Sequence, residues 1–233
     1  MKLYDEIISL GSQCNPGLSL RELNIKKKTY PFDWIRSNTK IIYDVLLNGR
    51  DKYITFNSTK KSEEYYTADL DSFDPRFTNF SASRINYYGQ FFTHYREKDI
   101  SYNELQSKFN RYFDRFFNLL NSNKKVLFIH TNEEYIYHKK SRDNKEEFYR
   151  YLCKINDILE EKYPNLNFEI INIEANNIFK NYKNITNLNI NWKIPFSDYF
   201  ENHNEPICEP FREIHTKKIK RFIKQKIREN RNK

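Results

Sequence analysis

Glycine, alanine and cysteine are scarce in this chain. Of 233 residues only four are Gly, three are Ala and three are Cys. So few, scattered glycines exclude a collagen-like repeat and leave no glycine-rich loop to cradle a phosphate. No heptad pattern runs through the chain, which excludes a coiled coil. Long apolar runs are missing too, and no stretch approaches the roughly 20 residues that span a bilayer. The opening MKLYDEIISLGSQC carries acids inside its apolar stretch, so it does not read as a signal peptide. The cysteines Cys14, Cys153 and Cys208 are odd in number, with no CxxC pair and no zinc-finger spacing. That argues against a disulfide framework and for a reducing, cytoplasmic setting. No His/Asp/Glu cluster has metal-ligand spacing, so neither metal nor cofactor is expected.

Aromatic residues are abundant. Eighteen Tyr and 19 Phe, 17% aromatic with Trp included, supply bulky core material and argue against disorder. A chain of this length buries roughly 70–75% of its unfolded surface, enough for one self-sufficient domain.

The formal net charge of +9 is unevenly spread. Residues 217–233 (KKIKRFIKQKIRENRNK) hold nine Lys and Arg against one Glu, leaving 31 basic and 30 acidic residues in 1–216. The expected organisation is therefore a near-neutral single domain over 1–216 and a basic amphipathic C-terminal helix over 217–233. Ile219, Phe222, Ile223 and Ile227 recur in that helix at helical spacing. It reads as docked on the body with a solvated lysine-rich face, or as a contact for an anionic surface such as a membrane. No nucleic-acid motif accompanies it, so a nucleic-acid partner is not expected.

The pattern along the chain reads as follows. Tyr4–Leu10 is a short buried strand, and a helix follows from Asn15–Pro16. Asn38–Asn48 is a helix stopped by Gly49. Residues 50–85 are a polar covering insertion, and Asn86–Tyr95 is an aromatic strand. Ser101–Asn121 is a long helix opened by a Ser101/Glu104 capping box. Val126–His130, Phe168–Ile173 and Ile185–Trp192 are strands, Lys145–Lys162 is a helix, and a last helix follows Pro210. Short apolar strands between helices predict an α/β fold: three layers, with a mainly parallel sheet flanked by helices in the SGNH or flavodoxin manner. A papain-like α+β arrangement is the alternative. In parallel sheets the reacting groups lie at the carboxyl ends of strands.

Three places carry candidate chemistry. Gly11-Ser12-Gln13-Cys14 follows a strand and enters a helix, whose first N–H groups favour a thiolate and can bind an oxyanion. His94, in FFTHY, can serve such a thiol as base and then as acid. His130, which ends the next strand, and His215, which begins the last helix after Glu205, Glu209 and Glu213, are its rivals. Asp33 is the one acid in the apolar patch YPFDW. It can orient an imidazole or simply cap a local turn. Cys153 reads as core, and Cys208, in a loop, has no assigned role.

These pieces occur together in one family. IISLGSQC, then TYPFDWI, then FFTHY, then KKVLFIHT, over roughly residues 4–135, resemble the papain-like cysteine peptidase family, otherwise described as a domain of unknown function. The resemblance implies a thiol nucleophile at Cys14 and a catalytic histidine at His94. The family pattern has an acid directly after that histidine. Tyr95 stands there instead, which moves the orienting role to Asp33. The expected function is a cysteine hydrolase working through an acyl-enzyme on a peptide. A nucleophile just after the first strand of an α/β sheet is also similar to the SGNH hydrolases and related acyltransferases, which act on glycans and lipids. In that scheme His215 would serve, Ser12 would rival Cys14, and the substrate would be an acylated glycan. A non-catalytic binding module with a buried Cys14 is the third reading.

Overall fold

The computed structural model describes residues 3–11, 15–33, 35, 37, 39–56, 83–88, 91–96, 99–131, 145–175, 179–190 and 208–231. Four strands, β1 (Glu6–Ser9), β4 (Lys125–Thr131), β5 (Asn167–Ala175) and β6 (Ile185–Ile190), form one sheet in the order β1-β4-β5-β6. Every neighbouring pair in it is parallel. A separate antiparallel pair joins β2 (Ser83–Ile85) to β3 (Phe91–Arg96).

Strand alternation sends successive side chains to opposite faces. Val126 and Phe128 of β4, with Phe168 and Ile170 of β5, join a core with three helices. These are α2 (Thr39–Asn48), α3 (Tyr102–Leu120) and α4 (Lys145–Lys162). Leu127 and Ile129, with Ile171 and Ile173, form a second core that holds Leu20, Ile219 and Phe222. Those residues belong to α1 (Asn15–Glu22) and α5 (Cys208–Arg231). The result is an α/β fold with a four-stranded parallel sheet and helices on both faces.

Local chemistry sets the element ends. Ser101 caps α3: its Oγ accepts from the Glu104 N–H, and the Glu104 carboxylate accepts from the Ser101 N–H at 3.0 Å. This is the capping box read from the sequence. The α3 face buries Leu105, Phe109, Phe113 and Phe116. Phe32 meets Phe113, Phe116 and Tyr53 edge-on, which pins the 30–33 loop to this core.

Two boundaries differ from the sequence reading. The aromatic stretch 86–95 is not one strand. Asn86 turns the chain, its Nδ2 donating to the Tyr53 carbonyl and its Oδ1 accepting from the Tyr88 N–H. Such side-chain bonds compete with a ladder, and β3 begins only at Phe91. The last helix starts at Cys208, before Pro210, because proline is tolerated in a helix's first turn. The insertion expected over 50–85 lies mostly outside the described residues. Residues 50–56 form turns that bury Tyr53, Ile54 and Phe56.

Candidate active site

The carboxyl end of β1 opens on Gly11, whose φ of +85° is left-handed and suits glycine. Its N–H donates to Ser9 Oγ at 3.0 Å, and its carbonyl accepts from the Thr131 N–H at 3.1 Å. The chain resumes at Asn15, where α1 begins. Ser12, Gln13 and Cys14 lie between these anchors and outside the described residues.

Ser37 lies over Gly11, and Asp33 lies over the start of α1. A Cβ on Gly11 would meet the Ser37 carbonyl at 3.0 Å, and one on Gly17 would meet the Asp33 carbonyl at 2.6 Å. Gly17 is thus the residue that lets Asp33 rest on the first turn of α1, three positions beyond Cys14.

Asp33 is 1% exposed. Its Oδ2 takes the Lys26 ammonium at 2.9 Å and the Tyr30 N–H at 2.6 Å. Its Oδ1 is buried with no hydrogen-bond partner among the described residues. Burial pushes the Asp33 carboxyl up, and the Lys26 ammonium and Tyr30 N–H oppose that push. Burial lowers the Lys26 ammonium in turn, against the pull of Asp33. A buried ion pair of this kind is costly to desolvate and strongly destabilising to break on one side.

The histidines fall in different places. His94 stands inside β3, in the antiparallel pair rather than at an end of the parallel sheet. Its side chain lies outside the described set. Its neighbour Tyr95 is buried against Phe109, with ring centroids 5.5 Å apart. Burial first, then Tyr112, then the Asp33 charge, push the Tyr95 phenol up. His215 does not begin the last helix but lies within α5, which starts at Cys208, and its side chain is likewise undescribed. His138 and His203 lie outside the described residues, as does Trp34.

His130 is 1% exposed near the end of β4. Its Nδ1 lies 2.8 Å from Asn172 Oδ1, and its Nε2 lies 3.3 Å from Thr39 Oγ1. Asn172 Nδ2 donates to Asn187 Oδ1 at 2.9 Å, and Asn187 Nδ2 donates to Tyr149 Oη at 3.0 Å. An amide oxygen only accepts, so His130 Nδ1 carries the proton. In the neutral ring Nε2 then accepts from Thr39. Register explains the row, because His130 pairs with Asn172 and Asn172 with Asn187 across three parallel strands. Asn172, Asn187 and Thr39 escaped the sequence reading. Their one signal was a polar residue interrupting an apolar strand, as Asn172 does within FEIINI.

Cys153, mid-α4, is half-buried, and burial pushes its thiol up. That is the opposite of what a nucleophile needs. Cys208 is the first residue of α5. Among the described residues no group of three His, Cys, Asp or Glu is placed to hold a metal ion.

The family described as putative papain-like cysteine peptidase (DUF1796) matches residues 5–177. The chain belongs to this family. The matched stretch runs from β1 past the end of β5 and takes in Gly11, α1, Asp33, β3 and His130. An uncharacterized protein of Acanthamoeba polyphaga mimivirus is similar to it, 33% identical over 150 residues, which is 60% of this chain. The match spans 66% of that relative's length. No solved structure matches the DUF1796 chain.

Proposed function

We propose that this family member is a cysteine hydrolase acting on peptides, with Cys14 as nucleophile, His94 as general base and Asp33 as the carboxylate that orients the imidazole. The observation that carries the reading is Asp33 itself. Its backbone rests on Gly17 in the first turn of α1, and its buried carboxylate has one oxygen held by Lys26 and Tyr30 and the other lacking a partner among the described residues. A buried acceptor without a donor is costly, and an imidazole N–H is the donor the reading supplies. The Asp33 charge also acts on Tyr95, the residue after His94.

The chemistry runs in two halves. Histidine takes the thiol proton, and the sulfur forms a bond to the substrate carbonyl carbon while the π pair moves to oxygen. The oxyanion is held by free N–H groups at the start of α1. Pro16 has none to give, so the amides of Asn15 and Gly17 are the nearest donors. Collapse breaks the C–N bond, and the imidazolium proton leaves with the amine. Water then hydrolyses the thioester with histidine again as base.

A second reading is an SGNH-like acyltransferase or esterase acting on glycans. It is favoured by the parallel sheet, with Gly11 beyond the carboxyl end of β1 and α1 beginning at Asn15. Iodoacetamide labelling at neutral pH, read by mass spectrometry, tests the thiol on which the first reading depends. Cys14 should react at least about ten-fold faster than a free cysteine peptide. Labelling no faster than the peptide sinks the proposal. A thioester adduct formed from acyl-coenzyme A, without cleavage of a peptide library, would select the second reading. Activity retained in Cys14→Ala would move the nucleophile to Ser12.

A further inference from the structure

The basic charge of the C-terminal helix is sorted by direction. Ile219 and Phe222 of α5 are buried in the core beneath the sheet, with Ile223 packed beside them. Thr216 Oγ1 donates to Glu22 of α1 at 3.0 Å, and Lys226 reaches Glu169 of β5 at 2.8 Å. The apolar side of this helix is therefore occupied by the body of the protein.

At about 100° per residue, Lys220, Arg221, Lys224 and Arg228 fall within one arc of about 100°, opposite Ile219 and Phe222. All four are exposed. None has an ion-pair or hydrogen-bond partner among the described residues. The nearby acid Glu229 lies outside that arc and accepts from Gln225 at 2.9 Å. Arg221, Lys224, Gln225 and Arg228 line one open surface depression. Like charges four residues apart repel along a helix, and Lys220–Lys224 and Lys224–Arg228 both do so. Residues 1–216 carry 31 basic and 30 acidic residues, so this arc is a local field on a nearly neutral body.

We propose that the outer face of α5 is a docking surface for membranes rich in anionic phospholipid, with the lipid phosphates seated along Lys220, Arg221, Lys224 and Arg228. A row of four or more Lys and Arg on one amphipathic helix suits such a surface. Adsorption is electrostatic and peripheral, because the apolar side of α5 faces inward. Among the described residues no helix is long and apolar enough to cross a membrane. Nucleic acid is the less favoured polyanion. Its binding modules add stacking aromatics or base-edge donors to phosphate contacts, whereas the amide beside this arc, Gln225, is already engaged by Glu229.

Co-sedimentation of the full chain with vesicles tests this. Vesicles of phosphatidylcholine with about 30% phosphatidylserine should carry the protein down, and pure phosphatidylcholine vesicles should not. Raising the salt from about 0.1 M to about 1 M, which shrinks the screening length from about 10 Å to about 3 Å, should release it. Replacing all four residues with Gln should weaken binding at least about 100-fold, with helix content by circular dichroism unchanged. If that variant loses helix content, the pair Lys220→Gln and Lys224→Gln gives the reading instead, and it should weaken binding about ten-fold. Equal sedimentation with neutral and anionic vesicles, or unweakened binding by a folded variant, overturns the proposal. So does tight binding of a labelled RNA or DNA oligonucleotide without vesicle binding, which would assign the face to nucleic acid.

Discussion

His130 Nδ1 and Asn172 Oδ1 lie 2.8 Å apart on neighbouring parallel strands, and both residues are buried. Every donor in the chain Thr39–His130–Asn172–Asn187–Tyr149 points the same way, and the Tyr149 hydroxyl ends it on the Lys180 carbonyl. Such head-to-tail bonds polarise one another in a low-dielectric interior. Both ring nitrogens of His130 are engaged, which argues against it as the base for Cys14.

Asn172→Leu strands a buried Nδ1–H. Urea denaturation should show a loss of about 1–3 kcal/mol, the cost of an unsatisfied buried donor. Adding His130→Leu to Asn172→Leu should recover part of that loss. A double variant that is less stable by the sum of the two single effects would show that the two side chains do not act as a pair.

Lys26→Met leaves the Asp33 carboxylate buried without its cation. The expected cost is about 3–5 kcal/mol, whereas Lys26→Met with Asp33→Leu should come close to the parent, because both charges leave together. Thermal or chemical denaturation reads the difference. A single variant as stable as the parent would mean that the pair is solvated.

Gly17→Ala carries two opposed effects. Alanine in a helix interior is ordinarily favoured over glycine by roughly 0.5–1 kcal/mol. Here its Cβ would stand 2.6 Å from the Asp33 carbonyl oxygen, a backbone atom that cannot swing away. The clash should win, with a net loss of about 1–3 kcal/mol. A raised melting temperature would show that the 30–33 loop yields freely.

The attachment of α5 should respond to acid through Glu169. Burial alone would raise its carboxyl, but the Lys226 bond and charge, the Tyr4 hydroxyl and Lys125 hold it below the ordinary value. A carboxyl lowered in the folded state stabilises above its unfolded value near 4.3 and loses that contribution as pH falls through the folded value. Unfolding free energy followed between about pH 5 and pH 3 should fall less steeply in Glu169→Gln. Identical slopes for the two proteins would mean that the Lys226 contact adds nothing in solution.

The sequence reading was sound where the physics is local. The Ser101/Glu104 capping box and the helical recurrence of Leu105, Phe109 and Phe113 marked α3, because both depend on residues three or four positions apart. The order helix, strand, helix, strand, strand, helix after Ser101 predicted a parallel sheet with helices on both faces. It was less sound around Asn86, where one side chain bonded to Tyr53 breaks a stretch whose composition suits a strand throughout. It also missed the polar row that crosses β4, β5 and β6. Asn172 looks like an interruption of an apolar run until register sets it beside His130.

Composition and periodicity alone determined that this chain is an α/β protein with a near-neutral body, a basic final segment and a cysteine shortly after its first strand. Those traits follow from side-chain spacing along a few turns of backbone. Only the tertiary structure decided that Lys26 neutralises Asp33, that Asp33 rests on Gly17, that Asn172 occupies His130, and that Lys220, Arg221, Lys224 and Arg228 of α5 are exposed. Each of these joins residues brought together by packing and strand register, and no spacing along the chain encodes the distance between them.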